Sequence, residues 1–152
     1  ELPLEVKDLE DDIEGLNTRI SKYQAEIDEF QHKTNVEKEK INESHAKIER
    51  YKEQLNIVVN NREFELLSKE IEFQSLEIQL SEKRLNEFAR IIEAKNNEIA
   101  LTQEALVDKQ HILEETRAIL AVLYRDYWAD KNRKKIIKNH KSIIKEKKRL
   151  KI

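Results

Sequence analysis

The sequence predicts an all-α fold, an elongated antiparallel coiled-coil helical hairpin. Three observations predict it. The 152 residues are 39% charged and include one Gly and one Pro, a composition typical of long helices. Apolar residues recur at alternating three- and four-residue spacing over two long runs. Between the runs, at Asn60-Asn61, the phase breaks.

Disorder is the competing class for so polar a chain, but a disordered segment has no reason to space its Ile and Leu in heptads. A compact core is not expected, because the apolar residues form stripes. The sequence has no cysteine, which excludes disulfides and thiolate zinc sites. No apolar run approaches the roughly 20 residues that span a bilayer, and no signal peptide is visible, so a cytoplasmic protein is expected. With Glu1 rather than Met in first place, the chain reads as a fragment or a processed chain. The net charge of −2 hides an asymmetry: residues 117–152 hold 13 of the 29 Lys/Arg and 3 of the 31 Asp/Glu, a net of +10, against −12 for residues 1–116.

The first helix is expected over 1–59. Pro3 suits a first helical turn and no interior position. From Val6 and Leu9 the spacing runs through Ile13, Leu16, Ile20, Tyr23, Ile27 and Phe30. The same register continues through Thr34, Glu37, Ile41, Ser44, Ile48, Tyr51, Leu55 and Val58. This is a coiled-coil seam rather than a broad globular face. Gly15 falls outside it.

A bend over 60–63 is expected next. Phe64 follows Val58 by six residues, which no 3-4 spacing allows, and Asn tolerates turn geometry. The second helix, 64–116, carries the run Phe64, Leu67, Ile71, Gln74, Ile78, Ser81, Leu85 and Phe88. The run goes on through Ile92, Lys95, Ile99, Thr102, Leu106, Lys109 and Leu113. Pairing residues whose numbers sum to 122 sets each weak seam position against a large apolar one: Glu37 against Leu85, Ser81 against Ile41, Lys95 against Ile27, Lys109 against Ile13. Lysine stems then lie along apolar neighbours with their ammonium groups in water. Phe30–Ile92, Tyr23–Ile99, Leu55–Leu67 and Val58–Phe64 become apolar layers, and no polar seam residue meets another. A parallel homodimer instead sets Glu37 against Glu37. At 1.5 Å per residue the arms are about 80 Å long. A basic helical extension, 117–152, completes the chain.

Val58-Val59-Asn60-Asn61-Arg62-Glu63-Phe64, followed by Leu67-Ser68-Lys69-Glu70-Ile71-Glu72, resembles the mid-chain signature of bacterial coiled-coil proteins with a C-terminal four-cysteine zinc ribbon. Glu1-Leu2-Pro3-Leu4-Glu5-Val6, with Asp8-Leu9-Glu10-Asp11 and Thr18-Arg19-Ile20, is similar to the start of the long helix in Bacteroidetes-type members. The resemblance covers roughly residues 1–115. It implies a helical hairpin and a role in nucleic-acid binding, or partnership with an alternative sigma factor or with flagellar and secretion machinery. The departures are large. With no cysteine, the ribbon and its zinc are absent, as is the segment that members place before Glu1, so no function of the ribbon carries over and no cofactor is expected here.

Two regions are candidate sites. Asn60, Asn61, Arg62, Glu63, Lys69 and Glu70 either close the turn or form a partner-binding tip, since binding residues gather on exposed segments of a rigid scaffold. In the extension, Ile119, Leu120, Val122, Leu123, Tyr124, Tyr127 and Trp128 form an apolar, aromatic cluster. Beyond it, over 131–151, come Lys131, Arg133, Lys134, Lys135, Lys138, Lys141, Lys145, Lys147, Lys148, Arg149 and Lys151, interleaved with Ile136, Ile137, Ile143, Ile144 and Leu150. Such a basic amphipathic helix can neutralise phosphates. Packing on a helix is the plainer reading, a membrane surface the weaker one, and an unselected tail a further one. His32, His45, His111 and His140 are too far apart to converge on a metal. No nucleophile–base pair or glycine-rich loop is present, so no enzyme is expected. A non-enzymatic scaffold or adaptor for a protein partner is the leading expectation. Nucleic-acid binding through the extension is the alternative, and self-association through outward Leu76, Leu80 and Ile91 is open.

Overall fold

The computed structural model describes residues 2–150; Glu1 and the candidate cation Lys151 lie outside the described residues. The chain is an all-α helical hairpin of two helices packed on each other: α1, Leu2–Ile57, and α2, Asn61–Leu150. Among the described residues there is no strand. Only positions 58–60 separate the helices, so the break is shorter and earlier than the expected 60–63 bend. Arg62 and Glu63 belong to the first turn of α2. Nor does α2 pause at 116: the basic extension continues the same helix.

Two compact units divide the chain: residues 17–104, which include the turn, and residues up to Leu16 together with those from Ala105.

In the 17–104 unit the heptad positions are the protected ones. Ile48, Ile78 and Ile99 are buried with Glu37, Ser44, Gln74, Ser81 and Thr102, and the other seam positions are half-buried, except Phe64. No described side chain is completely buried, because two helices share one seam with nothing packed over it. The Phe30 and Phe88 rings meet at 5.7 Å. Phe88 lies one turn from Ile92, the residue the sequence register assigned to Phe30. An antiparallel seam lets each side chain sit between two facing residues one turn apart, and Phe30 takes the larger.

The same one-turn offset corrects a second expectation. Polar seam residues do meet: the Ser81 hydroxyl faces the Glu37 carboxylate and favours its charged form. Arg84 Nη1 lies 3.5 Å and Lys40 Nζ 3.4 Å from Glu37 Oε1. Burial pushes the Glu37 carboxyl up, but Ser81, Lys40 and Arg84 together outweigh it and hold the group below its ordinary value. Glu37 Oε2 is buried without a hydrogen bond of good geometry.

The Lys95 ammonium, expected in water alone, also finds an acidic partner. It pairs with Glu26 and lies 6.0 Å from the centre of the Tyr23 ring. That hydrogen bond is the main reason the Glu26 carboxyl sits below the usual carboxylate range. The seam threonines satisfy their hydroxyls within their own helices: Thr34 Oγ1 donates to the Phe30 carbonyl at 2.8 Å and Thr102 Oγ1 to the Glu98 carbonyl at 2.7 Å.

In the second unit the heptad positions are again the protected ones. Leu113 is buried, and Val6, Leu9, Ile13, Leu16, Leu106, Lys109, Thr116 and Leu120 are half-buried. Lys109 Nζ pairs with Asp12 Oδ2 at 3.4 Å, and Arg117 Nη2 with Glu10 Oε1 at 3.2 Å. Acids of the first turns of α1 thus meet the two cations that α2 sets beside the seam here. Apart from its chain neighbours and the backbone of its own helix, nothing lies within 4 Å of where a Gly15 Cβ would stand.

Candidate functional site

The turn is built by Asn60. Its side-chain Oδ1 accepts a hydrogen bond from the Arg62 N–H at 2.8 Å, and its carbonyl accepts one from the Phe64 N–H at 3.1 Å. Asn60 is therefore the N-cap of α2, and its side chain satisfies a donor that the helix start leaves without a partner. Glu63, in the first turn, sits where the helix dipole favours a negative charge. Of the predicted tip residues, Asn60 has this structural job. Asn61, Arg62, Glu63, Lys69 and Glu70 are all exposed on α2.

Apolar exposure sets the turn apart. Val59 is 98% and Ile57 79% exposed, with Leu66 at 56% and Phe64 at 52%. The expected Val58–Phe64 layer is thus incomplete: Val58 is half-covered, but Phe64 stands at the end of the seam, where only the short link lies beyond it. Ile57, Val58, Val59, Leu66 and Leu67, with Gln54, Asn60 and Glu63, line an open hollow of about 580 Å³. Sequence reasoning placed the polar residues here and missed Ile57 and Leu66. The available signal was apolar residues outside the 3-4 phase, crowded around the break. Phe73, Leu76 and Leu80 continue an exposed apolar row along α2.

The extension is the second candidate. Every described residue from Ala121 to Leu150 is exposed. Arg133, Lys134, Lys135, Lys138, Lys141, Lys145, Lys147, Lys148 and Arg149 all lie on this uninterrupted helix. The isoleucines do not make one clean stripe. At 3.6 residues per turn, Ile136, Ile143 and Leu150 form one row and Ile137 and Ile144 another, with Arg133, His140 and Lys147 between them. The cluster before them is ordered by ring contacts. Tyr127 and Trp128 meet edge-on at 5.7 Å, and Lys131 Nζ lies 4.9 Å from the Trp128 ring centre.

Among the described residues no three His, Cys, Asp or Glu side chains converge as a metal site requires, and no helix is long and apolar enough to cross a membrane. His111 pairs with Glu115 at 3.1 Å on the surface. No protein-family model, curated protein or solved structure matches this chain.

Proposed function

We propose that this chain is a non-enzymatic scaffold or adaptor, needing no cofactor, whose hairpin tip binds a protein partner in the cytoplasm. One observation carries the reading: Val59 and Ile57, at 98% and 79% exposure, flank an open apolar hollow on a turn that Asn60 holds in place. Apolar side chains exposed together on an ordered scaffold are the material of interaction sites, and the acidic and basic groups of Glu63, Arg62 and Lys69 supply a polar rim. A photo-crosslinking residue at position 59 tests this. Capture of one protein partner, abolished by Arg62→Ala with Lys69→Ala at unchanged helicity, supports the tip. Equal capture by a crosslinker at position 97, on the α2 surface away from the turn, counts against it.

Nucleic-acid binding is the second reading, favoured by the exposed cations of 131–149 on one continuous helix. It is also what the zinc-ribbon resemblance implies. Its test is the affinity for single-stranded RNA and for duplex DNA as salt rises, with the full chain and with one stopped at Thr116. Salt-sensitive binding by the full chain alone supports this reading; binding retained after removal of the extension contradicts it.

A further inference from the structure

In the unit formed by the chain ends, Pro3 stands in the first turn of α1, and α2 runs on past it. At that point an open apolar hollow, lined by Pro3, Leu120, Leu123, Tyr124 and Tyr127, begins where the α1–α2 seam ends. The two seam lines of α2 do not stop there. Leu123, Tyr127, Ile137 and Ile144 keep the 3-4 phase, and Asp130, Lys134, Lys141 and Lys148 fill its other positions. All are exposed.

The folded seam shows how this helix treats a lysine on those lines. Lys95 pairs with Glu26, which directly precedes Ile27. Lys109 pairs with Asp12, which directly precedes Ile13. Each seam lysine is met on α1 by an acid beside a half-buried apolar residue. Lys141 and Lys148 have no acidic partner among the described residues, and Lys134 has only Asp130 of its own helix, at 3.4 Å.

We propose that α2 beyond Leu120 is a docking surface for an acidic amphipathic helix of another protein. That helix lies antiparallel to α2, continuing the line of α1, and carries an acid beside an apolar residue every seven positions. Continuity with the existing seam and charge complementarity select this occupant. A second copy of the extension is disfavoured by charge, because residues 117–152 carry a net of +10 and two copies side by side repel. The inference rests on the adaptor reading but on a different surface, so each can fail alone.

The probe is a synthetic helix of about three heptads with Leu at its seam positions and Glu at the flanking ones; a twin carries Lys in place of Glu. Binding to the full chain is followed by anisotropy of the labelled peptide and by the emission of Trp128, the sole tryptophan. Saturable binding of the Glu peptide that weakens with salt, with at least about tenfold weaker binding of the Lys peptide, is expected. Ile137→Asp with Ile144→Asp should weaken it about tenfold or more at unchanged helicity, while Val59→Asp at the tip leaves it intact. Lys141→Glu with Lys148→Glu should invert the preference toward the Lys peptide, a gain that misfolding cannot mimic. Failure of the Glu peptide to bind, or equal binding of both, overturns the proposal. So does a dimer of this chain that excludes the peptide, or duplex RNA binding to this helix when the Glu peptide does not.

Discussion

Phe30 and Phe88, on different helices, meet with ring centroids 5.7 Å apart and planes tilted by 52°. A tilted pair at this distance gains from the ring quadrupoles beyond its area of burial. The pair has polar seam positions near it, Thr34 a turn from Phe30 and Ser81 two turns before Phe88. Both rings are half-buried. Phe88→Ala should therefore destabilise the fold by about 2 kcal/mol, less than a fully buried Phe→Ala. With Phe30→Ala in a double-mutant cycle, a coupling of about 0.5–1.5 kcal/mol is expected. Urea unfolding followed by helical circular dichroism measures both. Strictly additive losses would show that the rings do not interact.

Acid should weaken the 17–104 unit through two carboxylates. Glu26 and Glu37 both lie below their ordinary 4.5 in the fold, Glu26 chiefly through Lys95, and Glu37 through Ser81, Lys40 and Arg84 against the effect of burial. A depressed folded pKa contributes stability above the unfolded value and loses it as the pH falls through the folded one. Stability is thus expected to hold near neutrality and to fall once the pH drops below 4.5. Glu37→Gln should make that fall shallower, which a series of urea midpoints against pH detects. An unchanged slope would mean that Glu37 titrates alike in the folded and unfolded chains.

The seam was legible because it is a period, and a period averages over many residues. Its positions are the protected ones from Val6 to Leu120, polar Ser44, Gln74 and Thr102 included. Details that depend on single atoms were not legible. Asn60 and Asn61 look alike in sequence, yet Asn60 caps and Asn61 is already helical. Arg84 is one of many cations beside the seam, and only the geometry shows it reaching Glu37 at 3.5 Å. The heptad leaves the Lys95 ammonium in water because its partner Glu26 lies off the seam lines. At the tip, the Phe64 layer fails for lack of anything beyond it to complete the burial, a condition set by the position of the turn rather than by the heptad. The candidate site was legible only as a location, since the polar signature drew attention to residues whose apolar neighbours are the more exposed.

Gly15 offers a gain. It lies inside α1 with open space around its missing Cβ, so an added methyl meets nothing while the unfolded chain loses freedom. Gly15→Ala should stabilise the helix by about 1 kcal/mol, raising the melting midpoint by about 2–4 °C at this size. A lower midpoint would mean that this part of α1 depends on glycine's freedom.

The cap at Asn60 joins stability to the proposed function. Its Oδ1 holds the Arg62 N–H at 2.8 Å, and that bond fixes the start of α2 and thereby the positions of Val59 and Phe64 beside the hollow. Asn60→Ala removes the acceptor and should weaken the fold by about 1 kcal/mol, whereas Asn60→Asp keeps an acceptor and adds a charge that the helix dipole favours. Asp is therefore expected to match Asn in urea midpoint, and Ala to fall short of both. Amide exchange gives the local readout. In the Ala variant the first-turn amides, Arg62 above all, should exchange faster, while those around buried Ile78 stay protected. Partner capture at position 59 should then fall with Ala and persist with Asp. Capture that is indifferent to all three residues would separate the turn's order from its binding and place the partner elsewhere on the hairpin.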